Sequence, residues 1–70
     1  MTDYERTIKR ELIDELRNVA DDENFVIGVV SNAPHADDRK AIIDFIRNGE
    51  NVSKKNIILL SIELDEMRKA

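Results

Sequence analysis

The sequence predicts an all-α fold: one small compact domain, residues 1–70, of four helices at about 3–20, 23–31, 36–48 and 54–68. Three observations carry this expectation. Apolar residues recur three and four positions apart through the first, third and last segments, the spacing that lines one face of a helix. Each segment opens on a hydroxyl or on acidic side chains, which suit the free N–H groups and positive dipole end of a helix start. The interruptions are local, at Asp21-Asp22-Glu23, around Pro34 and at Asn48-Gly49-Glu50-Asn51, with no linker, repeat or low-complexity tract.

The first helix is the clearest. Thr2 and Glu5 form a capping box, in which a hydroxyl and a carboxylate satisfy two early backbone N–H groups. Tyr4, Ile8, Leu12, Leu16 and Val19, with Ile13 and Ala20, then share one broad face. On the polar side, Arg6, Lys9, Arg10 and Arg17 fall within about 100° of one another at 3.6 residues per turn. Such a stripe suits an acidic partner. Its ordinary explanation is a solvated ladder, Arg10–Asp14–Arg17–Asp21, stepping three or four residues at a time.

The second segment is the most ambiguous. Val26, Ile27, Val29 and Val30 are β-branched and favour a strand. A strand here has only the last segment to pair with, and an isolated two-stranded sheet is marginal in water. Asp22 and Glu23 look like the acidic start of a helix, so a short buried helix is expected, with Gly28 allowing another backbone to come close. The alternative is an α+β chain with strands at 24–31 and 57–64, paired through a dimer.

In the third segment Asp37 and Asp38 load the first turn with negative charge. Ala41, Ile42, Phe45 and Ile46 give the buried stripe, with Ile43 at its edge. Gly49 is expected to end the helix in the left-handed conformation. In the last segment Ser53 is the N-cap, and Val52 and Ile57 are spaced as a hydrophobic staple. Leu60-Ser61-Ile62-Glu63-Leu64-Asp65 alternates like a strand, but the cap, the staple and the tail "LDEMRKA" favour a helix.

That last helix is apolar on two sides. Ile57, Leu60, Leu64 and Met67 make one stripe; Ile58, Leu59 and Ile62 make another, roughly opposite. A helix that is apolar all round is normally buried all round. In a chain of 70 residues little protein is available to cover both sides, and the favoured expectation is that this helix is the central element the other three surround. Otherwise the second stripe meets another molecule, since exposed apolar patches mark interfaces.

Composition narrows the function classes. The chain is 41% apolar and 37% charged, with a net charge of −4 and a pI near 4.9, a globular balance. An acidic chain is repelled by nucleic acid and anionic membranes unless its basic residues are grouped. There is no cysteine, which removes disulfides and thiolate metal sites. "MTDYERT" lacks the basic start and apolar run of a signal peptide, and the longest aliphatic run, Ile57–Leu60, falls far short of the ~20 residues that span a bilayer. A cytoplasmic protein with no membrane partner is expected.

Few residues carry chemistry. His35, the sole histidine, stands near Asp37 and Asp38, but adjacent helical carboxylates point about 100° apart and do not converge on one ion with it. Ser31, Ser53 and Ser61 lie in no nucleophile elbow. Gly28 and Gly49 are isolated and make no phosphate loop. Asp21, Asp22 and Glu23 are best explained as a helix junction. The expectation is therefore no enzyme, no cofactor and no bound metal.

The third segment, the turn "NGENVS" and the fourth segment resemble a helix-turn-helix in outline, with Ser53, Lys54, Lys55 and Asn56 at the start of the recognition helix. The turn is longer than the usual 3–4 residues, and the acidic balance is adverse. The favoured function is a non-enzymatic protein-interaction module that self-associates or binds a protein partner. Ile58, Leu59 and Ile62 would carry the contact, with Arg6, Lys9 and Arg10 as a second candidate surface. The alternatives are a helix-turn-helix-like nucleic-acid-binding regulator and an acidic inhibitor that mimics nucleic acid.

Overall fold

Four helices appear in the computed structural model, which describes residues 2–70: α1 (Asp3–Val19), α2 (Glu23–Asn32), α3 (Ala36–Asn48) and α4 (Lys54–Lys69). Their bounds lie within one residue of those the sequence predicts. Of the described residues 81% are helical and none lies in a strand. That overturns the α+β alternative: residues 24–31 and 57–64 are helical.

Local chemistry explains most of the starts and stops. Thr2 Oγ1 accepts from the Glu5 N–H at 3.1 Å, and the Glu5 carboxylate accepts from the Thr2 N–H at 3.2 Å, completing the capping box. Asp22 caps α2 by accepting from the N–H groups of Asn24 and Phe25. Ser53 caps α4 by accepting from the Asn56 N–H at 3.2 Å. α3 begins at His35, whose side chain makes no capping hydrogen bond.

Burial settles the ambiguous second segment. Phe25, Val26, Val29 and Val30 all turn into the core, a spacing a helix places on one side and a strand would split between two faces. Tertiary burial and the Asp22 cap thus override the β-preference of valine. The helix is not buried all round, however: Ile27 is 59% exposed and Gly28 is exposed.

The helices form a four-sided arrangement. α1 packs on α3 and α2, and α4 packs on α3 and α2, while the backbones of the α1–α4 and α2–α3 pairs come close at few points. A single core results, centred on Leu12, Leu16, Val29, Ile42, Ile43 and Ile57. Ile13, Val19, Phe45, Ile46, Val52, Leu60 and Leu64 close its edges. The radius of gyration is 11.1 Å, matching the about 11 Å expected for one close-packed domain of this length.

Several expectations need correction. Helix α4 is not central; it is one wall of the bundle, with Ile58, Leu59 and Ile62 outside. Tyr4 and Met67, assigned to apolar stripes, are 57% and 71% exposed because each lies at an outer end of its helix. Gly49 is not left-handed: its φ is −79°, and Asn51, at φ 56°, makes the left-handed turn. Gly28 allows no close approach, because a Cβ there would meet nothing within 4 Å.

Candidate protein-interaction surface

The charged side chains divide into those the fold uses and those it leaves free. Each adjoining pair of helices is linked by at least one ion pair. Arg17 of α1 meets Glu23 of α2 at 3.2 Å, and Arg47 of α3 reaches Glu15 of α1 at 3.6 Å. Lys54 of α4 meets the α2 cap Asp22 at 2.9 Å, and Arg68 of α4 meets Asp38 of α3 at 2.5 Å. Lys54 also lies 5.8 Å from the centre of the Phe25 ring, within cation–π range. Its hydrogen bond holds the Asp22 carboxyl below the usual aspartate value, helped by the Phe25 N–H. Asp38 in turn raises the pKa of the Arg68 guanidinium.

Arg39 is buried, and the sequence offered no sign of its role. Its Nε donates to the Ala33 carbonyl at 2.6 Å and its Nη2 to the Val30 carbonyl at 3.1 Å. A cation from α3 therefore caps the C-terminal end of α2, where free carbonyls and the negative dipole end favour it. Desolvation lowers its pKa, and the nearby Glu5 charge opposes that shift.

With Arg6 against Asp3, Lys40 against Asp44 and Lys69 against Asp65 also paired, the basic residues left without an ion pair among the described residues are Lys9, Arg10, Arg39 and Lys55, and of these Arg39 is spent on the α2 carbonyls. The expected Arg10–Asp14–Arg17–Asp21 ladder does not form; Arg17 turns across to Glu23 instead. The α1 stripe is consequently less neutralised than its spacing suggests. Arg6, Lys9 and Arg10 line a shallow groove of about 390 Å³ with Ile13, Asp14 and Arg17. Beside it, Ile13, Val26, Ile27 and Val30 contribute to a second groove of about 260 Å³ between α1 and α2.

The other candidate surface is the outer wall of α4. Ile58, Leu59 and Ile62 are 38%, 49% and 41% exposed. They sit opposite Ile57 and Ser61, both fully buried. The structure thus brings the three predicted residues together on one open helix face, far round α4 from the core.

The helix-turn-helix outline loses most of its reading side chains. Ser53 is spent as a cap, Lys54 on Asp22, and Asn56 donates from Nδ2 to the Asn51 carbonyl at 2.6 Å. Only Lys55 of the four remains free. Around His35, Asp38 is turned to Arg68, so the three side chains are not gathered on one point. No group of three metal-ligating side chains occurs among the described residues, and no helix there is long and apolar enough to cross a membrane.

No family model, no curated protein and no solved structure matches the chain.

Proposed function

We propose that this chain is a cytoplasmic, non-enzymatic protein-interaction module that binds through the outer face of α4. One observation carries the reading: three large aliphatic side chains, Ile58, Leu59 and Ile62, remain open on a helix whose opposite side already completes the core. A contiguous apolar face of this kind is where proteins meet proteins, and removing its aliphatic side chains from water stabilises such a contact. The spending of Lys54 and Asn56 within the fold favours this reading over nucleic-acid recognition.

A second contact is favoured by the unpaired Lys9 and Arg10 beside Arg6, which suit an acidic segment of a partner. It also stands against the nucleic-acid-mimic alternative, because a mimic would present carboxylates where this face presents cations.

The test compares the parent protein with Ile62→Glu, by light scattering after size exclusion and by pull-down from native lysate. The parent should associate, with itself or with a captured protein, and the variant should not. A parent that stays monomeric at high micromolar concentration, and captures nothing that the variant loses, would overturn the reading.

A further inference from the structure

The charges that flank the open face of α4 are arranged to match a second copy of the same face. Lys55, Leu59, Ile62 and Glu66 follow one another at spacings of four, three and four. At 100° per residue they fall within an arc of about 60°, a single stripe down the helix. Lys55 and Glu66 are exposed, and neither forms an ion pair among the described residues, although their neighbours Lys54, Asp65, Arg68 and Lys69 all do. The stripe therefore reads cation, aliphatic, aliphatic, anion, with both charges unspent.

We propose that this stripe pairs with its own copy, two α4 helices running antiparallel about a two-fold axis level with the Leu60–Ser61 peptide. This rests on the interaction reading above and names the partner. In that register Leu59 lies against the partner's Ile62, and Lys55 against the partner's Glu66. Each contact occurs twice by symmetry. The parallel arrangement would put lysine on lysine and glutamate on glutamate. Antiparallel packing also sets the positive dipole end of each helix beside the negative end of the other. Ile58 widens the apolar strip on one side. A two-fold contact uses one patch on both molecules and closes, leaving no open end for further growth. The occupant is identified by charge complementarity: the same patch supplies the base at one end and the acid at the other.

A pair of 16-residue helices, each about 24 Å long, is smaller than a standard interface of about 800 Å² per partner. The dimer is accordingly weak, and its mass should rise with concentration through the micromolar range towards twice 8.1 kDa.

Sedimentation equilibrium at low salt on the parent, Lys55→Glu, Glu66→Lys, the double charge swap and Ile62→Glu tests the register. Each single reversal turns two attractive pairs into two repulsive ones and should weaken dimerisation about tenfold. The double swap restores both pairs only in the antiparallel arrangement and should recover parental affinity. Ile62→Glu should be monomeric throughout. High salt should shrink the gap between the parent and the single reversals. All four variants change exposed positions only, and circular dichroism at dilution should confirm unchanged helix content.

A parent that stays monomeric at high micromolar concentration overturns the second-copy inference. In that case, a captured protein lost on Ile62→Glu would still support α4 as an interaction face. A dimer insensitive to Ile62→Glu, or a double swap no stronger than either single reversal, overturns the proposed pairing.

Discussion

At the scale of single residues, the two glycines have roles opposite to those their sequence positions suggest. Gly28 lies exposed in the middle of α2 with open space where a Cβ would go. Alanine costs less backbone entropy in a helix and clashes with nothing here. Gly28→Ala is expected to stabilise the fold by about 0.5–1 kcal/mol, measured as a higher urea midpoint. At Gly49 a Cβ would strike the Phe45 carbonyl oxygen and lie 2.8 Å from its ring. Gly49→Ala should therefore destabilise, by about 1–3 kcal/mol as the ring and turn shift, although the backbone angles suit any residue. Close approach, rather than a left-handed turn, is why glycine stands there. The glycine pattern marks the break correctly, but nothing in it reveals which neighbour sits against the Cα.

Arg39 makes the same point more strongly. Basic residues inside a helix usually read as solvated, and the hydrogen bonds it makes reach six and nine positions back, outside any helical or strand period. Arg39→Met keeps much of the bulk and removes both bonds to the α2 carbonyls. The expected loss is about 1.5–3 kcal/mol, the usual worth of hydrogen bonds from a charged group. Faster amide exchange at the α2 C-terminus would localise it.

At the scale of whole elements, α1 and α4 are legible because a capping side chain and the apolar period agree, and α3 because its acidic first turn and apolar period do. α2 is legible only through its acidic start, Glu23 and the cap Asp22, and through the want of a good strand partner, since its valines also suit a strand. That cap has a measurable signature. Asp22 and Glu5 both have native pKa values below their ordinary values of 3.8 and 4.5. The first is lowered chiefly by the Lys54 hydrogen bond, the second by the Thr2 backbone. A depressed carboxylate binds protons more weakly when folded than when unfolded, so its stabilisation is complete above the ordinary value. That stabilisation drains away as pH falls through it to the native one. Thermal midpoints should therefore drop as pH is lowered from 5 through the ordinary values 4.5 and 3.8. Asp22→Asn with Glu5→Gln should flatten that part of the curve, because asparagine still caps the helix without titrating. An unchanged slope in the double variant would refute the role given to these two caps.

At the scale of the molecule, the sequence showed that α4 had apolar residues on two sides, but not which side the other helices would cover. The answer depends on α1, which is engaged with α2 and α3 and whose backbone comes close to α4 at few points; only one wall of α4 is thereby covered. Two kinds of aliphatic residue follow, and stability measured at different protein concentrations separates them. Leu12 is wholly buried, and Leu12→Ala removes packing worth about 2–5 kcal/mol. A domain of this length holds only about 4–10 kcal/mol in total, at 0.05–0.15 kcal/mol per residue. That variant should be largely or wholly destabilised at every concentration. Ile62→Ala removes an exposed side chain and should change the stability of the dilute monomer by no more than about 0.5 kcal/mol. If α4 binds its own copy, the parent gains stability by mass action as concentration rises. The Ile62→Ala curve should then fall progressively behind the parent, whereas the Leu12→Ala deficit is present from the most dilute sample onward. Parallel parent and Ile62→Ala curves across the whole range would mean that the outer wall of α4 is not where copies of this chain meet.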